Sequence, residues 1–137
     1  MSCKPLINVA TTTSSAVVAG GTLPLATVTR RNGKGVNLGG NSVIITDCGS
    51  NYYLVAVTAT FTAPVAGIVT LNLQQNGVNV TGGTASTTIT TATTEVRSLS
   101  FVIPIRTFNN QGIDTLTVVN SGVAATFSNI DVTVIKL

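Results

Sequence analysis

The chain of 137 residues contains no histidine and no tryptophan, and charged residues make up only 8% of it. The absence of histidine excludes a Ser-His-Asp triad, a Cys-His pair and a His-ligated metal site. The four acidic residues are too few for a calcium site built from several carboxylates, so no metal and no cofactor are predicted. Because most acid–base and nucleophilic chemistry is thereby removed, the sequence predicts a protein that is not an enzyme.

The few charges also limit the classes of partner. Seven basic residues against four acidic ones give a net charge of +3, which is too small a surplus for a nucleic-acid interface. Mean hydropathy is +0.49, yet apolar runs such as residues 54–57 are far shorter than the ~20 residues that a membrane helix needs. Neither a nucleic acid nor a membrane is therefore predicted as a partner.

What the sequence has in abundance is β-branched residues. Threonine, valine and isoleucine number 24, 19 and 10, together 53 of 137 residues. These residues fit a pleated sheet better than a helix, and no stretch of a dozen residues has the apolar spacing of an amphipathic helix. The chain is predicted to be all-β, with its sheet edges closed by a barrel, a sandwich or an oligomer.

Turn signals divide the chain into about eight to ten short antiparallel strands, which is typical of a sandwich or barrel. Residues 1–15 are predicted as an N-terminal arm or leading strand, and residues 16–137 as a single domain. Asn32-Gly33 and Asn76-Gly77 predict tight hairpin turns. The Thr-rich segment 81–95 is compatible with either a polar outer strand or a flexible loop.

Two regions show alternation that assigns side chains to faces. The alternation in residues 52–62 predicts one strand face made of Tyr53, Val55, Val57, Ala59 and Phe61. In the last stretch, alternation predicts one face with Ile130, Val132 and Val134, and an opposite face with Phe127, Ile135 and Leu137. A strand of a single sandwich needs only one buried face, so the second apolar face predicts burial against another copy of the chain.

Four basic residues, Lys4, Arg30, Arg31 and Lys34, lie close to the chain start or to the Asn32-Gly33 turn. Such charges are either solvated or contact an acidic partner surface, and both interpretations remain open. The two cysteines, Cys3 and Cys48, are either free thiols or a disulfide. Residues 1–5 lack the apolar core of a signal peptide, so export by that route is not predicted.

The order of several segments resembles a known family. These segments are 18–24 (VAGGTLP), 41–45 (NSVII), 49–57 (GSNYYLVAV), 66–78 (AGIVTLNLQQNGV) and 129–137 (NIDVTVIKL). The pattern resembles the tumour-necrosis-factor-like and complement-type globular head, in the small form found in bacterial surface and exosporium proteins and in phages of Gram-positive hosts. The resemblance spans about residues 16–137 and is carried by segment order rather than by a catalytic signature.

This resemblance implies a jelly roll of ten strands that forms a homotrimer. It places Tyr52 or Tyr53 and the closing strand 130–137 near the trimer axis. Together with the two-sided alternation, it predicts an interface that contains Tyr52, Tyr53, Phe127, Ile135 and Leu137. The family's calcium sites are not expected here, because their acidic residues are missing.

No collagen-like Gly-X-Y stalk precedes the head, which favours a phage structural protein over an exosporium relative. The expected role is a capsid decoration or head-fibre protein, located in the virion and bound to the major capsid protein. The alternatives are a bacterial surface or spore-coat head and a carbohydrate-binding module that attaches to host-surface glycans.

Overall fold

The computed structural model describes residues 4–47, 49–109 and 113–137. Twelve strands lie in these residues, and ten of them have four or more residues. Their bounds are β1 Leu6–Thr11, β2 Ser15–Val17, β3 Gly21–Thr22, β4 Thr27–Asn32, β5 Val36–Gly39, β6 Ser42–Ile45, β7 Gly49–Thr62, β8 Gly67–Gln75, β9 Val78–Ile89, β10 Arg97–Asn109, β11 Asp114–Asn120 and β12 Ala125–Lys136. Cys3 and Cys48 lie outside the described residues.

The strands form two antiparallel sheets that pack as a sandwich. The first sheet has the order β10-β7-β12-β1-β4, with β2 paired to the start of β12. The second has the order β5-β6-β11-β8-β9, with β3 paired to β11. The prediction of an all-β sandwich is therefore confirmed. No helix in the described part of the chain is long and apolar enough to cross a membrane.

Alternating side chains explain why these segments form strands with one buried face. Along β11 every second residue, from Asp114 to Asn120, is buried, while Thr115, Thr117 and Val119 between them are partly exposed. In β7 the face predicted from residues 52–62 is the buried face, with each member at most 1% exposed. The same rule holds for β1, where Ile7 and Val9 are fully buried. The core is therefore the space between two half-apolar sheets.

The first strand lies within the predicted N-terminal arm. Leu6–Thr11 pairs with β12 on one side and with β4 on the other, so this part of the arm is integral to the first sheet. Its apolar alternation is as regular as that of the inner strands, which is the physical reason that it enters the sheet. The boundary at residue 15 remains a prediction.

The two Asn-Gly turns differ in outcome. Asn76-Gly77 joins β8 to its neighbour β9, with positive φ angles of 54° and 81°, as the hairpin prediction requires. The hairpin predicted at Asn32-Gly33 is wrong, because β4 pairs with β1 in the first sheet and β5 pairs with β6 in the second. The positive φ angle of 74° at Gly33 helps the chain to cross between the sheets.

A β-bulge in β12 changes which side chains reach the core. Phe127 pairs with Phe61, and Asn129 pairs with Thr60, so Ser128 is the extra residue in the register. The insertion moves Phe127 to the same face as Ile130. Both are fully buried, and the predicted shared face of Phe127 with Ile135 and Leu137 is therefore wrong. Simple alternation cannot see a bulge of one residue.

Candidate functional site

The outer face of the first sheet carries a row of apolar side chains across four adjacent strands. The register places Leu6 of β1 beside Ile135 of β12. Ile135 lies beside Leu54 of β7, and Leu54 lies beside Pro104 of β10. These positions alternate with the buried residues of the same strands, so the row faces away from the core.

Four further apolar side chains flank this row. Tyr52, Val102 and Leu137 are 53%, 60% and 58% exposed, and Ala56 lies beside Val102. The peptide N–H of Leu137 donates to the carbonyl of Tyr52 at 3.0 Å, which holds the chain end beside β7. We call the eight residues the apolar band: Leu6, Tyr52, Leu54, Ala56, Val102, Pro104, Ile135 and Leu137.

A polar network lies on the same face, next to the apolar band. Asn8 Nδ2 donates to Asp131 Oδ1 at 2.5 Å and to Thr133 Oγ1 at 2.7 Å. The hydroxyl of Thr29 donates to Asn8 Oδ1. The amide of Asn8 thus links three strands, and the outer face is divided into an apolar part and a hydrogen-bonded part.

The structure separates the five residues predicted at a trimer interface. Tyr52, Ile135 and Leu137 lie together in the apolar band, whereas Tyr53 and Phe127 are fully buried between the sheets. A side chain buried within its own chain has no surface to offer to a second copy. The other five band residues were not among the predicted ones, although the sequence shows apolar residues at 54 and 56, opposite the buried face of β7.

Tyr53 instead belongs to a polar cluster at one end of the core. Its hydroxyl donates to Asp47 Oδ2 at 3.1 Å, and Lys136 Nζ lies 2.6 Å from the same oxygen. Burial, and then the adjacent Asp47 carboxylate, raise the pKa of Tyr53 above its usual range. The cluster ties the loop before β7 to the end of β12.

The four predicted partner-contact cations lie around β4 and its neighbours, and all four are exposed. Arg30 pairs with Asn8 and Arg31 with Ile7, so their side chains project from opposite faces of this edge strand. Asn32 Nδ2 donates to the carbonyl of Lys4 at 3.5 Å, which brings Lys4 close to the turn that carries Lys34. Lys4, Arg31 and Lys34 therefore share one corner of the sandwich.

The carboxylates each have a local structural partner. Asp47 binds Lys136, Asp131 accepts from Asn8, and Asp114 accepts from Asn76 Nδ2 at 2.7 Å. Glu95 accepts from Thr90 and pairs with Arg97, and these contacts lower the pKa of Glu95. Over residues 4–47, 49–109 and 113–137, no group of three or more metal-ligating side chains is found.

Known proteins resemble this chain in fold but not in sequence. No family model matches it, and no curated protein matches it in a sequence search. The crystal structure of murine APRIL is similar, with a TM-score of 0.64 and 15% identity over 98% of this chain and 99% of that one. PRD1 vertex protein P5 has a TM-score of 0.60 and 12% identity over 100% and 99% of the two chains.

A third similar structure is the Eiger TNF from S. frugiperda, with a TM-score of 0.60 and 14% identity over 97% of this chain and 93% of that chain. At these identities the likeness concerns the fold, and it covers almost the whole length of both chains in each pair. The predicted resemblance is confirmed at the level of fold: the chain has the jelly-roll fold of the TNF-type heads.

Proposed function

We propose that this chain is a non-enzymatic virion structural protein, a capsid decoration or head-fibre protein of a bacteriophage, and that it acts as a homotrimer. The observation that carries the proposal is the apolar band on the outer face of the first sheet. A row of apolar residues that crosses four strands is an unusual surface for an isolated monomer. Such a surface is typical of an interface that excludes water.

A second copy of the chain is the occupant that suits the apolar band best. None of the eight band residues is acidic or basic, so the band does not select a charged partner. In a closed ring with three-fold symmetry, every chain covers the band of its neighbour and no free copy of the surface remains. The polar network of Asn8, Asp131 and Thr133 then forms the hydrated part of the same face.

The virion location is supported by the fold of a vertex protein. PRD1 vertex protein P5 and this chain align over 99% and 100% of their lengths. The chemistry of the described residues agrees with a structural role, because the carboxylates are held by local partners. The proposal therefore assigns function to shape and assembly rather than to a reaction.

Contact with the capsid is proposed for the exposed cations around β4. Lys4, Arg31 and Lys34 share one corner, and Arg30 projects from the other face of the strand. A negatively charged shell formed by the major capsid protein would attract this corner at long range and fix its orientation. Such a contact weakens as salt concentration rises.

The composition of purified particles tests the virion role. Particles of the phage whose genome encodes this sequence are purified on a density gradient and analysed by quantitative mass spectrometry. We expect the protein in every particle preparation, with a copy number per particle that is a multiple of three. Absence from particles that still contain the other structural proteins would contradict the proposed function.

The proposed capsid contact has its own test with matched charge changes. The variant Arg31→Gln is compared with Arg97→Gln, which removes one charge from β10 at a distance from the apolar band. Binding to shells that lack the protein is followed by co-sedimentation at low and moderate salt. We expect at least a tenfold loss for the first variant and little change for the second; equal losses would contradict the assignment of the corner.

A further inference from the structure

The chain contains two Asn-Gly pairs, and the structure gives their side chains different surroundings. Asn32 is the last residue of the edge strand β4 and is followed by Gly33, whereas Asn76-Gly77 forms the turn between β8 and β9. In such a pair the peptide nitrogen of the glycine can attack the side-chain amide carbon of the asparagine, because glycine has no side chain that hinders the approach. All four residues are exposed, so exposure alone does not distinguish the two pairs.

The side-chain amide of Asn76 is held at both of its polar atoms. Its Nδ2 donates to Asp114 Oδ1 at 2.7 Å, and its Oδ1 accepts from the peptide N–H of Thr115 at 2.9 Å. The peptide N–H of Asn76 also donates to the carbonyl of Thr115 at 2.9 Å. An attack on this amide would require the side chain to leave both partners, and the buried Asp114 carboxylate would lose its donor. These hydrogen bonds therefore protect Asn76.

The side-chain amide of Asn32 is held weakly. Its Nδ2 lies 3.5 Å from the carbonyl oxygen of Lys4, which is longer than the roughly 2.7–3.2 Å of a normal N–H···O bond. Asn32 makes no other side-chain hydrogen bond to the part of the chain that the structure describes. Residues 33–35 belong to no strand. The Asn32 amide can therefore turn towards the peptide nitrogen of Gly33 at little cost in contacts.

The nearby charges act in the same direction as the hydrogen bonds. The attacking group is the deprotonated peptide nitrogen of the glycine, and an anion is favoured by neighbouring cations and disfavoured by neighbouring carboxylates. Gly33 lies between Arg31 and Lys34 in the sequence, and both of these cations are exposed. Asn76 instead contacts the carboxylate of Asp114. Electrostatics and hydrogen bonding thus both favour the reaction at the first pair.

We propose that Asn32 is a site of spontaneous and selective deamidation in the folded protein. The peptide nitrogen of Gly33 forms a bond to Asn32 Cγ, and the bond between Cγ and Nδ2 breaks. The amide nitrogen leaves as ammonia, which carries away the proton of the Gly33 peptide. Water then opens the five-membered imide at either of its carbonyl groups, which gives aspartate or isoaspartate at position 32. No oxidant, reductant or enzyme is needed.

The conversion changes the charge of one corner of the sandwich. It replaces a neutral amide by a carboxylate beside Lys4, Arg31 and Lys34, and the isoaspartate form also lengthens the main chain where Asn32 pairs with Leu6. The reaction itself does not depend on the proposed function. Under that function, the new negative charge would slowly weaken the attraction between this corner and a negatively charged capsid shell.

The test compares the two Asn-Gly pairs within one protein. The full-length protein is incubated in mildly alkaline buffer, and samples are digested at acid pH, which stops the reaction. Mass spectrometry then measures the gain of about 1 Da at each pair. We expect Asn32 to convert at least tenfold faster than Asn76 in the folded protein. In concentrated urea, where the hydrogen bonds are lost, the two rates should differ by about threefold or less.

Two matched variants show whether the acidic form that accumulates comes from Asn32. Glutamine closes the corresponding ring far more slowly, so Asn32→Gln should abolish the early-eluting form that wild type develops on a cation exchanger. Asn79→Gln, the same change at another exposed asparagine, should leave the formation of that form unchanged. The proposal is overturned if Asn32 stays intact in the folded protein, if Asn76 converts as fast, if the ratio of rates is the same in urea, or if both variants behave alike.

Discussion

The rings of Phe61 and Phe127 contact each other in the core, with their centroids 5.2 Å apart and their planes tilted by 53°. The contact joins the two central strands β7 and β12 at the bulge that contains Ser128. Tilted aromatic pairs of this kind contribute beyond the area that they bury. We expect the pair to hold the bulge in place, and the bulge decides which residues of β12 face outwards.

Removal of the Phe127 ring should lower the stability of the fold. We expect Phe127→Ala to lower the free energy of unfolding by about 3–5 kcal/mol, because it leaves a cavity beside Phe61. Phe127→Leu fills part of that space, so it should lower the free energy of unfolding clearly less than Phe127→Ala does. Urea denaturation at a fixed protein concentration measures both values. Equal and small losses would show that the pair does not hold the bulge.

Asn76, in the hairpin turn between β8 and β9, hydrogen-bonds the buried carboxylate of Asp114. Asp114 is 7% exposed, and Asn76 Nδ2 donates to its Oδ1. Glycine tolerates the φ of 54° at this position, so Asn76→Gly removes the donor without straining the backbone. We expect the free energy of unfolding to fall by about 1–3 kcal/mol. Asn79→Ala, in the same hairpin, should cost about 0.5 kcal/mol or less. Thermal denaturation compares the two, and similar losses would contradict the role of Asn76.

Tyr53 should make stability depend on alkaline pH. Burial and Asp47 raise its pKa, so above pH ~10 the unfolded chain loses this proton more readily than the folded chain does. The stabilisation is therefore complete below that pH and is lost as pH rises further. We expect Tyr53→Phe to cost about 1 kcal/mol at pH 7 and to flatten the decline above pH ~10. The free energy of unfolding is measured by denaturation at a series of pH values. The same decline above pH ~10 in the wild type and in Tyr53→Phe would contradict this account.

The arginines of the edge strand β4 are expected to protect the protein from aggregation. All six of its residues are exposed, and among the strands that the structure describes it pairs with β1 alone. Charged side chains on such an edge oppose pairing with other chains. We expect Arg30→Thr/Arg31→Thr to aggregate at lower protein concentration than the wild type, as measured by light scattering over time. Unchanged aggregation would mean that another feature protects the edge.

Much of the fold follows from alternation that is visible in the sequence. The buried face of β7 and the Asn76-Gly77 hairpin were both predictable, because strand period and turn chemistry are local properties. The pairing of β4 was not predictable in this way. Asn32-Gly33 has the composition of a hairpin turn, but the neighbouring strands belong to different sheets, and this choice is made by long-range packing.

Part of the apolar band could also be predicted from local alternation, and part of it depends on contacts that are distant in sequence. Ile135 and Leu137 were placed correctly on an outer face, since β12 alternates regularly after its bulge. Phe127 was misplaced by that bulge. Tyr53 entered the interface prediction through the family pattern, which left Tyr52 and Tyr53 as alternatives. Alternation along β7 had already placed Tyr53 with Val55 on the face that the structure buries.

The native mass of a band variant tests the central claim of self-association through the apolar band. Leu54→Asp places a charge in the middle of the band, and Thr88→Asp places the same charge on an exposed position of β9. Light scattering on a sizing column should give about 42 kDa, three times 13.9 kDa, for the wild type and for Thr88→Asp. Leu54→Asp should give a folded chain of about 14 kDa. A wild-type mass of 14 kDa, or a Leu54→Asp variant that stays at 42 kDa, would contradict the account.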